Sequence, residues 1–108
     1  MLDESLYSNL VATVFKKIVA AADQLDPDLV ECDSTGDMVT FTAPKTAQKV
    51  VINTQRAVRQ IWVAGKSQGI HFSYDGTKWL DDKNKGIELY AWISECVDAM
   101  SGAALTFG

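Results

Sequence analysis

The chain has 108 residues, 47% of them apolar, with 14 acidic against 10 basic side chains and a formal charge of −4. That length and apolar content suit one domain, residues 1–108, able to bury a core without covalent or metal staples. The negative balance excludes the basic footprint that nucleic-acid binding requires. No window approaches the roughly 18 consecutive apolar residues of a membrane span.

The charge is unevenly placed. Residues 1–37 hold eight carboxylates against Lys16 and Lys17, a net −6, while the remainder carries six against eight, a net +2. Cys32 and Cys96 stand alone, with no CxxC or Cys/His spacing beside either. They read as small buried apolar residues in a reducing compartment, with a single disulfide between them as the alternative. The opening MLDESLYSNL has neither a basic segment followed by an apolar run nor an Arg-rich, acid-poor character, so the expected location is the cytoplasm.

In chain order, Asp3 is placed as a helix N-cap. Leu6, Leu10, Val14, Ile18, Ala22 and Leu25 then recur with Val11 and Phe15 at helical spacing. Asp26-Pro27-Asp28 stops that helix, because a proline restricts the residue before it. Leu29 to Asp33 alternates as a strand, and Ser34-Thr35-Gly36-Asp37 turns into a second strand over Met38 to Ala43. Four more follow, over Lys49 to Gln55, Arg59 to Ala64, Gly69 to Tyr74 and Lys78 to Leu80, with Asp75-Gly76 as a hairpin signal. After Asn84-Lys85-Gly86 the period returns to helical: Leu89, Trp92, Ile93, Cys96, Val97 and Met100 form a stripe ending near Gly102. Two amphipathic helices flanking a roughly six-stranded antiparallel meander pack together on one sheet face, the two-layer α+β solution. The other face is left to water. Leu105 and Phe107 in the short tail are expected to pack against the helices.

No GxSxG, HExxH, phosphate-binding glycine loop or dinucleotide fingerprint is present, so the expected protein is not an enzyme. His71, the only histidine, lies between Ile70 and Phe72 in a strand and points by alternation to the open face, as a surface residue rather than a ligand. Asp81 and Asp82 read as a charged loop, since adjacent residues at a strand end point apart.

The carboxylates of the first third say more. Asp23 falls in the last turn of the first helix, where the dipole disfavours negative charge by about 0.3–1 kcal/mol. Asp26 and Asp28 follow, and Glu31 and Asp33 share one face of the next strand, about 7 Å apart at strand rise. Two readings stand. An edge strand carries charge to block edge-to-edge pairing, or the carboxylates form a shallow oxygen-only site for hard cations such as Fe²⁺, Fe³⁺, Ca²⁺ or Mn²⁺, or a docking face for a basic partner. On the sheet, alternation buries Ile61 and Val63 and turns Gln60, Trp62 and Ala64 outward, with Asn53 and Gln55 on the same face. A tryptophan among carboxamides fits a protein-protein hot spot; the alternative is a tryptophan covered by a loop. Trp79 reads as core.

The run V-I-N-T-Q-R-A-V-R-Q-I-W-V-A (51–64), with Q-G-I-H-F (68–72) and K-W-L (78–80), resembles the frataxin family, particularly its bacterial, CyaY-type branch. The similarity spans nearly the whole chain, including the acidic first helix and strand. It implies a non-enzymatic, iron-binding regulator of iron-sulfur cluster assembly that docks on the cysteine desulfurase and the scaffold protein, possessing no nucleic-acid or membrane partner. A monomer is implied, with iron-dependent oligomers left open. Carried over by position, Asp23, Glu31 and Asp33 match the family's acidic ridge, with Asp26 and Asp28 as near matches and Asp3 and Glu4 ranked below them. Asn53, Gln55, Gln60 and Trp62 match its sheet-face motif. Iron, as Fe²⁺ or Fe³⁺, would be held weakly by surface carboxylates. Two other roles remain beside this one: an acidic interaction module without physiological metal, and a ferroxidase or iron-storage protein. Ala57 stands where the family often has proline and Ser73 where it often has aspartate. Lys16, Lys17 and Ala20 to Ala22 occupy helix positions often acidic, which weakens the ridge.

Overall fold

A computed structural model describes residues 2–107. The first helix, α1 (Glu4–Ala22), begins where expected: Asp3 Oδ1 accepts the Leu6 N–H at 2.7 Å, removing one of the orphan donors of the first turn. It ends three residues earlier than the periodicity predicts, with Asp23 as C-cap. Its buried face is also rotated from the expected stripe, to Tyr7, Val11, Val14, Phe15, Ile18 and Ala21. Leu6, placed in that stripe by sequence, is exposed. The helix turns that way because Tyr7 reaches further than Leu6: its ring packs edge-on against Trp79 and its hydroxyl donates to the Gln60 carbonyl at 2.6 Å.

Six strands follow as a meander in the order β1-β2-β3-β4-β5-β6: β1 (Glu31–Thr35), β2 (Met38–Thr42), β3 (Lys49–Gln55), β4 (Gln60–Gly65), β5 (Gln68–Tyr74) and β6 (Trp79–Asp81). All neighbours are antiparallel. Val39, Phe41, Val50, Ile52, Ile61, Val63 and Phe72 point to one face and are essentially inaccessible. There they meet α1 and α2 (Leu89–Ser101), whose Leu89, Trp92, Ile93, Cys96 and Val97 are buried as the periodicity predicts. Gly102 ends α2 in the left-handed region, φ 75°, the conformation glycine adopts without strain. The tail closes the core as expected: Leu105 is buried, its carbonyl accepts from Ser94 Oγ at 2.8 Å, and the Phe107 ring lies tilted against Tyr90 with centroids 4.7 Å apart.

Three local readings are corrected. The first turn is Gly36-Asp37 alone, since Thr35 pairs with Met38 and β1 runs two residues past Asp33. Asp81 is not part of a charged loop: it is buried, and its carboxylate accepts the Lys85 and Ile87 N–H groups at 2.9 Å each. Those bonds, the Lys85 one foremost, hold its carboxyl below the usual range. Cys32 is exposed rather than buried, while Cys96 is fully enclosed, and both thiols are free.

Candidate functional site

Two neighbouring surfaces carry the residues singled out by sequence. The first is the acidic one. Glu31 and Asp33 pair with Thr42 and Thr40, while Cys32 pairs with the buried Phe41. Glu31 and Asp33 therefore project onto the open sheet face, and Cys32 and Ser34 point back toward the helices. Asp23 lies on the helix side of the same strand, at the end of α1, beside the groove that Cys32 and Ser34 line, with no basic residue in that helix's last turn to offset the dipole. Partial burial raises the Cys32 thiol pKa, and the charges of Asp23 and Asp33 raise it further, which places both carboxylates within electrostatic reach of the same strand.

The remaining carboxylates separate from this group. Asp26 is engaged in the loop, its side chain accepting the Asp28 N–H at 2.9 Å and its carbonyl the N–H groups of Leu29 and Val30. Asp28 is exposed in the same loop. Asp3 and Glu4 lie at the other end of α1, about 28 Å from Asp23 at 1.5 Å rise per residue. Asp3 is occupied as the cap, and Glu4 lies within electrostatic reach of Arg56. Among the described residues no three His, Cys, Asp or Glu side chains gather closely enough to hold one metal ion. The ridge is thus a line of exposed carboxylates, suited to a hydrated cation or a basic surface rather than to a multidentate cage.

The second surface lies on β3 and β4. Asn53 pairs with Trp62, and Gln55 with Gln60, so all four side chains share the open face. The same register extends in both directions: Met38 precedes Asn53, and His71 follows Trp62. The Gln60 amide donates to Ser73 Oγ at 3.0 Å. Trp62 is half-buried, and its indole lies across β5. A Cβ on Gly69 would come within 2.6 Å of Nε1 and 2.9 Å of Cε2 and Cζ2, so only glycine lets the ring lie there. Sequence places Gly69 only as the first residue of a strand, after the turn. The turn itself is Lys66-Ser67, both in the left-handed region at φ 51° and 63°. Met38, 39% exposed beside Asn53, was likewise read only as a strand residue.

The two surfaces adjoin. Asp33, Thr40, Val51, Ala64 and Gly69 form one cross-strand row, and Thr35, Met38, Asn53, Trp62 and His71 the next. At about 4.8 Å between strands the acidic edge lies about 15 Å from Trp62, with small side chains between them.

The frataxin-like domain model matches residues 1–103. The chain belongs to the frataxin-like family. Within it, the chain is 41% identical over 91 residues to the iron-sulfur cluster assembly protein CyaY of Cupriavidus necator, covering 84% of this chain and 79% of that one. It is 33% identical over 105 residues to the CyaY protein of Tolumonas auensis, covering 97% and 98% respectively. The solved frataxin from Psychromonas ingrahamii superposes with a TM-score of 0.86 at 25% identity over 99% of both chains. The two-helix, six-strand arrangement expected from sequence is the frataxin fold. No helix of the described residues is long and apolar enough to cross a membrane.

Proposed function

We propose that this frataxin-like protein regulates iron-sulfur cluster assembly without catalysing a step itself, binding iron weakly as cargo or signal and docking on the cysteine desulfurase and the cluster scaffold. The observation that carries this reading is the adjacency of two unlike surfaces on one open sheet face. The Glu31 and Asp33 edge, with Asp23 behind it at the end of α1, supplies negative field for a cation or a basic patch, which steers association and sets register. The Asn53, Gln55, Gln60 and Trp62 patch supplies an aromatic anchor ringed by amides, the composition of an interface hot spot. Two partners can therefore be held side by side. Because the carboxylates stand apart and exposed, iron bound there keeps much of its water and exchanges readily. Asp26 and Asp28 would add only long-range charge, and Asp3 and Glu4 stand outside the ridge altogether.

The deciding experiment is an anaerobic Fe²⁺ titration followed by amide NMR, repeated with purified desulfurase in place of iron. Shifts and broadening confined to residues 23–33 in both titrations are expected. Desulfurase binding that leaves those residues unmoved sinks the shared acidic surface. An acidic interaction module without physiological metal is the second reading, favoured because among the described residues no three His, Cys, Asp or Glu side chains gather for one ion. It gains the upper hand if Ca²⁺ and Mg²⁺ shift the same amides as strongly as Fe²⁺. For the second surface, Trp62→Ala is expected to leave the fold intact and weaken scaffold capture, and wild-type capture by that variant removes the patch from the reading.

A further inference from the structure

The open edge of the sheet is more than a charged ridge. All five residues of β1 are exposed, and β1 pairs with β2 alone. Its outer row of N–H and C=O groups is without a strand partner, the arrangement that accepts an added strand. Beneath that edge runs a groove of about 430 Å³ between β1 and the end of α1, lined by Val19, Ala22, Leu25 and Val30 together with Asp23. It exists because Cys32 and Ser34, the inward side chains of β1, are small where the neighbouring strand offers Phe41 and Val39. The volume falls within the roughly 300–1,000 Å³ of ligand-sized clefts.

We infer that β1 and this groove receive an extended segment of a partner protein whose residues alternate between basic and small apolar, added to the sheet as a seventh strand. Alternation follows from period two: one side of such a strand enters the groove under β1, and the other lies beside Glu31 and Asp33 on the open face. The charge follows from cross-strand pairing, in which opposite charges attract and like charges directly opposite repel. A second copy of this chain is the wrong occupant, because pairing β1 with β1 sets carboxylates against carboxylates. The inference rests on the docking role proposed above and states how a basic partner would be held there.

The test uses the 108-residue chain and two labelled peptides of one composition, with arginine and valine alternating in the first and segregated into two blocks in the second. The alternating peptide is expected to bind about tenfold more tightly, to slow hydrogen exchange at alternate β1 amides, and to slow Cys32 modification by a thiol reagent. Equal binding of both peptides with β1 exchange unchanged means charge alone is recognised and overturns strand addition. Ser34→Lys, which puts a charge into the groove, is expected to lose about tenfold in affinity for the alternating peptide while melting at the wild-type temperature; undiminished affinity also overturns it. Purified desulfurase separates the two ideas. Desulfurase binding without β1 protection overturns strand addition and leaves the docking reading standing. Peptide-induced β1 protection with no desulfurase binding supports the strand site and removes the docking reading.

Discussion

The two end strands of the sheet face the same hazard, an unpaired row of backbone groups, and the chain treats them oppositely. β6 is three residues long and strapped: Leu80 bridges to Glu88, and the Asp81 N–H donates to the Ile87 carbonyl at 2.9 Å. The strap is shaped by the buried Asp81 carboxylate and leads into α2, where Glu88 caps the helix through Tyr90 and Ala91 and Leu89 is fully buried. β1 has no such cover; it carries Glu31 and Asp33 on one side and a groove on the other. The difference teaches that carboxylates here serve two ends. Enclosed and given backbone donors, as at Asp81, they organise structure. At β1 they are left exposed on an edge, where like charges oppose pairing of one copy with another.

Substitutions at the two edges can break this contrast. The largest effect belongs to the closed edge: Leu89→Ala is expected to cost about 2–5 kcal/mol in chemical denaturation, as buried leucine truncations do. Cys32→Ala at the open edge should stay within about 0.5 kcal/mol of wild type. Comparable losses at both sites would mean the open edge is structural after all. Asp81 adds a pH signature. Its folded-state pKa is depressed by the backbone donors of the strap, so its stabilisation is present above the ordinary carboxylate value and disappears as pH falls through the folded value. Asp81→Asn should lower stability at neutral pH and flatten the acid limb of the melting curve, whereas an unaltered acid limb would take Asp81 out of the account.

Gly69→Ala comes next. It pushes a methyl into the Trp62 indole, at about 1–3 kcal/mol in stability, and should weaken scaffold capture alongside. If capture is unaffected, the flat indole is not what the partner reads. Glu31→Lys combined with Asp33→Lys should leave the melting temperature nearly unmoved and weaken both iron and desulfurase binding, about tenfold at low salt and less at high salt. The smallest effect is a gain: Asp23→Asn removes a carboxylate from the negative end of α1 and is expected to stabilise the fold by about 0.3–1 kcal/mol while weakening cation binding. A destabilised Asp23→Asn protein would show that Asp23 holds structure and not a ligand.

Periodicity and turn chemistry alone placed both helices, all six strands and the layer order, because each of these is decided by neighbours close in sequence: helical spacing after Asp3, alternation around Val39 and Phe41, and a return to helical spacing at Leu89. The side assignments of Trp62, Gln60, Asn53 and Gln55 were legible for the same reason, since strand alternation sets them one residue at a time. What sequence could not settle was anything that depends on which distant segment lies overhead. The rotation of α1 toward Tyr7 needs Trp79 and the Gln60 carbonyl, more than 50 positions away. The burial of Asp81 needs the strap that folds over β6, and the exposure of Cys32 needs the absence of any comparable strap over β1. Gly65 sits beside a turn and reads as part of the connection, and Gly69 reads only as the start of a strand. Packing uses them instead for close approach, Gly65 beneath Cys96 and Gly69 beneath Trp62. The carboxylates show the limit most clearly. Sequence gathered seven of them into one candidate set, and the fold divides them between an edge, a loop and the far end of a helix, because a 19-residue helix carries its ends apart whatever charges it bears.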